Sequence, residues 1–343
     1  MDLHTIIRCD KNVKKIMRSV PIIALILLVV VASCGNNNSN SANSNSQNVA
    51  SATSEASKKK IICTIFPIYD WVREMVGENA SNFEITCLIN NGVDLHNFNP
   101  SASDIIDIQN CDMFIHVGGE SDAWVNDVFN KVVKKDITKL NLLELMGNRA
   151  KVEELKEGME GEHEEELDEH VWLSLKNAKY LCNLIKDNII KLDNKNSVIY
   201  EENFNKYSKV LDELDNKYSK AADIDGVKVM LFGDRFPFRY LLDDYKIDYY
   251  AAFSGCSAES EASFKTIMFL ASKVDELHLK HVLKIEGGND KIAKTIIENT
   301  KTKDQDIITM NSMQAVTLNE IKDGATYISM MESNLAAFEK ALR

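Results

Sequence analysis

The sequence predicts an α/β protein of two doubly wound α/β lobes joined by a long helix, with a ligand cleft between the lobes. Short apolar runs alternate with helix-period segments over residues 61–141 and again over 227–342, the alternation that builds parallel sheets covered by helices. Between these blocks, residues 173–222 keep a helical period with no proline or glycine, a span longer than an ordinary globular helix. At 343 residues with a 45% apolar share, the chain is long enough for two cores.

Residues 11–18 are basic, and residues 20–32 are almost wholly apolar and run into Val31-Ala32-Ser33-Cys34. A charged stretch, a short apolar stretch and small residues before a cysteine make a secretory signal, too short for a comfortable spanning helix. Met17 could be its start. The run is similar to the lipobox of bacterial lipoproteins, where the signal is cut before the cysteine, so residues 1–34 read as a signal peptide and Cys34 as the lipidated residue. Residues 35–59, mostly Asn, Ser and Ala, bury too little apolar surface to offset ordering and read as a disordered tether. The protein is then expected at the outer face of a cell membrane, held by lipid.

Residues 60–172 form the expected N-terminal lobe. IICTIF (61–66), FEITCLI (83–89), MFIHVGG (113–119) and DITKLN (136–141) are its strands. YDWVREMVG (69–77), a segment capped by Ser101 or Ser103, and AWVNDVFNKVV (123–133) are its helices. The linking helix covers 173–222, with a possible break at 193–196. In the C-terminal lobe, 223–343, VKVMLFG, IDYYAAF, HVLKIEG and DIITMN are strands. FRYLLDDY, EASFKTIMFLASKVDEL, a segment around 292–297 and a last segment ending at Leu342 are helices. In doubly wound sheets ligands bind at the strand carboxyl ends, which here face the cleft.

A formal net charge of −12 repels nucleic acid and attracts cations. The charge is densest in the acidic loop 150–170, where EGMEGEHEEELDEHVW (157–172) carries His163 and His170. Imidazole and carboxylate suit zinc or manganese, and a mobile acidic loop would gather cations beside them. A solvated loop with incidental histidines is the plainer reading of a charge run. The seven cysteines contain no CxxC pair, so neither a disulfide framework nor a thiolate knuckle is expected; Cys63, Cys87, Cys111 and Cys182 fall in apolar patterns that bury free thiols.

From residue 60 onward the chain resembles the metal-binding lipoproteins of zinc and manganese ABC importers. In DLHNFNPSASD, His96 stands where that family has its first metal histidine; in DEHVWLSLKNA, His170 stands where it has the second. The resemblance implies capture of a divalent metal, Zn2+ or Mn2+, and delivery to an ABC permease and its ATPase by a monomer. The two histidines and the acidic His-containing loop favour zinc. The family's remaining ligands come from the second lobe, and there Arg235 and Asn311 occupy the matching positions. A guanidinium cannot ligate a metal and an amide is weak toward zinc, so Asp234, one residue away, is the expected third ligand. His163, Cys256, Glu286 and Glu120 are accessory candidates. The alternatives are a manganese-binding relative, an adhesin or other-solute binder with a degenerate site, and a surface zinc hydrolase. The hydrolase would need a motif such as HExxH, which the sequence lacks.

Overall fold

β-Branched and aromatic residues in the runs KKIIC, FEITC, MFIH and TKLN form four parallel strands: β1 (Lys59–Cys63), β2 (Phe83–Cys87), β3 (Met113–His116) and β4 (Thr138–Asn141). They are hydrogen-bonded in the order β2-β1-β3-β4. The computed structural model describes residues 58–132, 136–161, 166–257 and 261–343, all within one compact unit, Glu55–Arg343. The expected signal, Cys34 and most of the tether lie outside the described residues, and so does His163.

The crossovers are helical, and polar side chains fix where they start. α1 (Phe66–Val76) opens with a proline in its first turn, and α2 (Ala102–Asn110) has a capping box between Ser101 and Asp104. α3 (Trp124–Lys131) and α4 (Leu142–Met146, capped by Asn141) complete the lobe. The second sheet repeats the plan with β5 (Val229–Phe236), β6 (Asp248–Ser254), β7 (His281–Ile285) and β8 (Asp306–Met310). Its order, β6-β5-β7-β8, is that of the first sheet. The helices here are α7 (Arg239–Asp244), α8 (Phe264–Leu277), α9 (Lys291–Glu298), α10 (Leu318–Lys322) and α11 (Tyr327–Ala341).

Residues 173–222 are two helices rather than one strut. α5 (Leu175–Leu192) ends at Asp193, and after a short turn α6 (Ser197–Ala221) runs back along it. The two helices bury Leu181, Ile185, Tyr207 and Leu211 in one core, and Lys179–Asp212 at 2.7 Å and Lys186–Glu201 at 2.8 Å bridge them in antiparallel register. The break follows from the polar sequence Asp-Asn-Lys-Asn: the Asp193 carboxylate accepts from Tyr200 Oη at 2.6 Å and Asn196 Nδ2 at 2.7 Å, bonding that competes with continued helix.

The C-terminal helix then returns to the first lobe. Tyr327 N donates to buried Asp70 at 2.8 Å, its ring meets Trp71 edge-on at 5.3 Å, and Tyr218 Oη donates to Met331 O at 2.7 Å. One apolar core is therefore continuous from Ile61 and Met113 of the first sheet through Trp172 to Phe232 and Met310 of the second. The described part of the acidic loop is also docked, not mobile as expected. Lys151 N donates to Tyr240 Oη at 2.8 Å, and Glu160 N donates to Ala252 O at 2.8 Å, adding a parallel bridge to the edge strand β6.

Candidate metal centre

His96 sits in the loop after β2. Asp94 caps a short turn, Leu95–Asn97, by accepting from His96 N at 3.0 Å, while Leu95 buries completely and anchors it. The same device holds His170: the carboxylate two residues before it, Asp168, accepts from His170 N at 2.9 Å. Asp168 Oδ1 also lies 2.9 Å from His170 Nδ1, and Ser121 Oγ lies 2.6 Å from His96 Nδ1. Ser121 is itself fixed, since its N–H donates to Glu169 Oε1 at 3.0 Å. With a proton on each Nδ1, the Nε2 lone pairs are left free. Those two Nε2 atoms face each other at 3.4 Å.

The second lobe closes over this pair with the loops after β6 and β8. The ligand atoms of His96, His170 and Cys256 all lie within 4.8 Å of one another. Gly255 makes this approach possible: a Cβ there would sit 2.8 Å from His170 Cε1 and 3.0 Å from Phe236 O. From the β8 side, Gln314 places Nε2 3.0 Å from His96 Nε2 and 2.5 Å from His170 Nε2, so its amide hydrogens reach both lone pairs. Gln314 Oε1 lies 3.2 Å from Ser312 Oγ, whose N–H donates to Glu286 Oε2 at 2.6 Å.

Burial, and then the neighbouring charge of His170, push the His96 pKa down to about 3, so this imidazole stays neutral. For His170, burial opposes charging but the hydrogen-bonded Asp168 carboxylate outweighs it, and the pKa is raised. Burial pushes the Cys256 thiol upward, reinforced by the Glu169 and Glu153 carboxylates, and raises Glu169 to about 7. Two imidazoles and a thiol converging on one point can hold a cation of borderline softness once the binding nitrogens and the sulfur have given up their protons.

The structure brings His96, His170 and Cys256 together; among the described residues, Asp234, Arg235, Asn311 and Glu286 are engaged elsewhere. Asp234 accepts from Arg235 N at 2.8 Å and from Ile285 N at 3.2 Å and is not among the converging ligand atoms. Arg235 reaches across the cleft to Asp94, at 2.6 Å. Asn311 Oδ1 accepts from Met313 N at 2.7 Å. Glu286 braces Ser312, and Glu120 is exposed, with its neighbour Ser121 holding His96 instead. Sequence reasoning missed Ser121, Asp168, Glu169 and Gln314. Only Asp168 left a readable trace, the Asp-x-His spacing shared by DLH and DEH.

The model of the family described as ZnuA, zinc-uptake complex component A, periplasmic, matches residues 61–341. The zinc-binding protein AdcA of Streptococcus pyogenes is 26% identical over 290 residues, which cover 81% of this chain and 55% of that protein. The chain thus spans about half the length of this relative. The high-affinity zinc uptake system protein ZnuA of Bacillus subtilis is 26% identical over 302 residues, 85% of this chain and 90% of the relative. In fold, the crystal structure of the Zn(II)-bound ZnuA-like domain of Streptococcus pneumoniae AdcA superposes with a TM-score of 0.66 at 23% identity, covering 83% of this chain and 99% of that one. Two parallel sheets of one order and a family match spanning both lobes lead to one conclusion: the chain belongs to the ZnuA family of periplasmic zinc-uptake components.

Proposed function

We propose that the chain is an extracytoplasmic solute-binding lipoprotein that captures a divalent metal ion, zinc before manganese, and delivers it to an ABC permease powered by an ATPase. The observation that carries this reading is the 3.4 Å separation of the two Nε2 atoms, which only the displaceable Gln314 amide caps. Two nitrogens on a tetrahedral zinc, each at about 2.0–2.1 Å, would stand about 3.3–3.4 Å apart. The pair is thus spaced for zinc before any ion arrives. The names of the relatives, a zinc-binding protein and a zinc uptake system protein, agree with it. Nothing is catalysed in this reading: the ion is cargo, and His96 and His170 hold it while the acidic loop raises the local cation concentration.

Lipid on Cys34 would hold the protein at the outer face of the membrane beside its permease. Cys34→Ala should then move the protein from the membrane pellet to the soluble fraction. The capture reading is tested by metal content and by titration against a zinc chelator, using the purified full chain, His96→Ala and His170→Ala. Wild type should hold one zinc and both variants should lose it to the chelator. Equal binding by all three would defeat the proposal.

A further inference from the structure

We infer that Cys256 binds the ion as a thiolate, a third protein ligand from the second lobe, so that the site takes thiophilic d10 ions such as Zn(II) and Cd(II) in preference to hard cations. The inference rests on the capture reading and specifies its chemistry. Every other second-lobe candidate already has partners. Asp234 accepts from two backbone N–H groups, Arg235 is paired with Asp94, Asn311 accepts from Met313 N, and Glu286 takes both the N–H and the hydroxyl of Ser312. Among the described residues, Cys256 Sγ is the cysteine, histidine or carboxylate atom that joins the two imidazoles within 4.8 Å.

The chain holds the sulfur there by two devices. Cys256 N donates to Glu153 Oε1 at 3.0 Å, tying the turn to the docked acidic loop. Gly255 lets the backbone pass against His170, where a Cβ would lie 3.0 Å from Nδ1. The two nitrogens already stand 3.4 Å apart, so with zinc–sulfur and zinc–nitrogen bonds of about 2.3 and 2.0–2.1 Å it is the sulfur that draws in, by up to roughly 1 Å. On binding, the S–H bond breaks, its proton leaves to solvent, and the sulfur lone pair forms the bond to the metal; no electron is transferred. The Gln314 amide hydrogens give up the two imidazole lone pairs to the ion.

Cobalt(II) is the probe, because a thiolate ligand gives it an intense near-ultraviolet sulfur-to-metal charge-transfer band that imidazole and carboxylate do not. The purified full chain, reduced with a phosphine, is loaded with Co(II) alongside Cys256→Ser, Cys256→Ala and His170→Ala, with circular dichroism to verify folding. The expected result is a band in wild type that is missing from both Cys256 variants, while these still bind cobalt through the imidazoles. Zinc and cadmium affinity should fall more than tenfold in Cys256→Ser and manganese affinity should change less than threefold. A wild type that binds Co(II) without the band, or a band that survives in Cys256→Ser, overturns the thiolate inference and leaves metal capture standing. A folded wild type that binds no metal overturns both.

Discussion

The half of the candidate metal centre contributed by the first lobe and the half contributed by the second are built by different means. Each histidine of the first lobe is held by a carboxylate two residues earlier, Asp94 for His96 and Asp168 for His170, so the ligand and its brace lie on one short piece of chain. In the second half Gln314 is held by Ser312, two residues earlier and fixed by Glu286, whereas Cys256 depends on a distant partner, Glu153 of the acidic loop. The two histidines and Gln314 are therefore braced within their own lobes, whereas the Cys256 turn is held from the opposite lobe.

Breaking the first half should have the largest effect. Loss of a brace around a metal ligand typically costs 10–100-fold in affinity, and loss of the ligand costs more, so His170→Ala and His96→Ala should weaken zinc by more than about 100-fold in a chelator competition. Asp168→Asn should fall in the 10–100-fold range. Its pH dependence has a definite sign. Zinc needs the neutral imidazole, and the raised pKa of His170 lets protons compete at higher pH than at an ordinary histidine. Zinc affinity in wild type should fall as pH drops through that raised value. In Asp168→Asn the fall should begin at lower pH, and titrations between about pH 8 and pH 5 would show it. His96, held down to about 3, adds no proton competition in that window.

This contrast also explains what the sequence disclosed. Strands and helices were legible because apolar period and caps are local, and the two histidines were legible because each stands in a short motif with its own brace. Cys256 could be marked as a candidate, but its approach to His170 depends on the absent side chain at Gly255, which no spacing reveals. Gln314 left no trace, since amides are common on surfaces and this one is aimed at the imidazoles by the loop after β8, where Trp172 Nε1 donates to Ser312 O at 2.8 Å. The fold-back at Asp193 was visible only as a polar interruption; its direction follows from the shared core of α5 and α6, in which Ile185 and Leu211 are buried although remote in sequence.

The link between the halves can be tested separately from the ligands. Arg235 of β5 and Asp94 form an ion pair at 2.6 Å with each side chain 17% exposed, and Asp94 is also the brace of His96. Removing one partner of a largely enclosed pair leaves the other charge without compensation. Arg235→Ala should weaken zinc about tenfold, ~1.4 kcal/mol, and raise the release rate rather than slow capture, as stopped-flow with a fluorescent zinc indicator would report. Unchanged release would mean that the lobes are held by the shared core alone.

The smallest effect on binding is expected at Asp234. Its carboxylate sits where the pairing of β5 with β6 shifts register between Phe232 and Arg235, and it accepts from Arg235 N within the irregularity and from Ile285 N at the end of β7. Burial raises its pKa, opposed by those two N–H donors. In this arrangement the side chain completes the hydrogen bonding of two backbone groups and offers no oxygen to the cleft. Asp234→Ala should leave both N–H groups without this acceptor, at a cost of about 1–3 kcal/mol each when the group is buried and unsatisfied. Denaturant unfolding should show that loss, whereas zinc affinity by chelator competition should change less than about threefold, under ~0.7 kcal/mol. The opposite pattern, affinity lost by more than tenfold with stability intact, would return the carboxylate to the metal and make the second lobe's half of the site as local as the first.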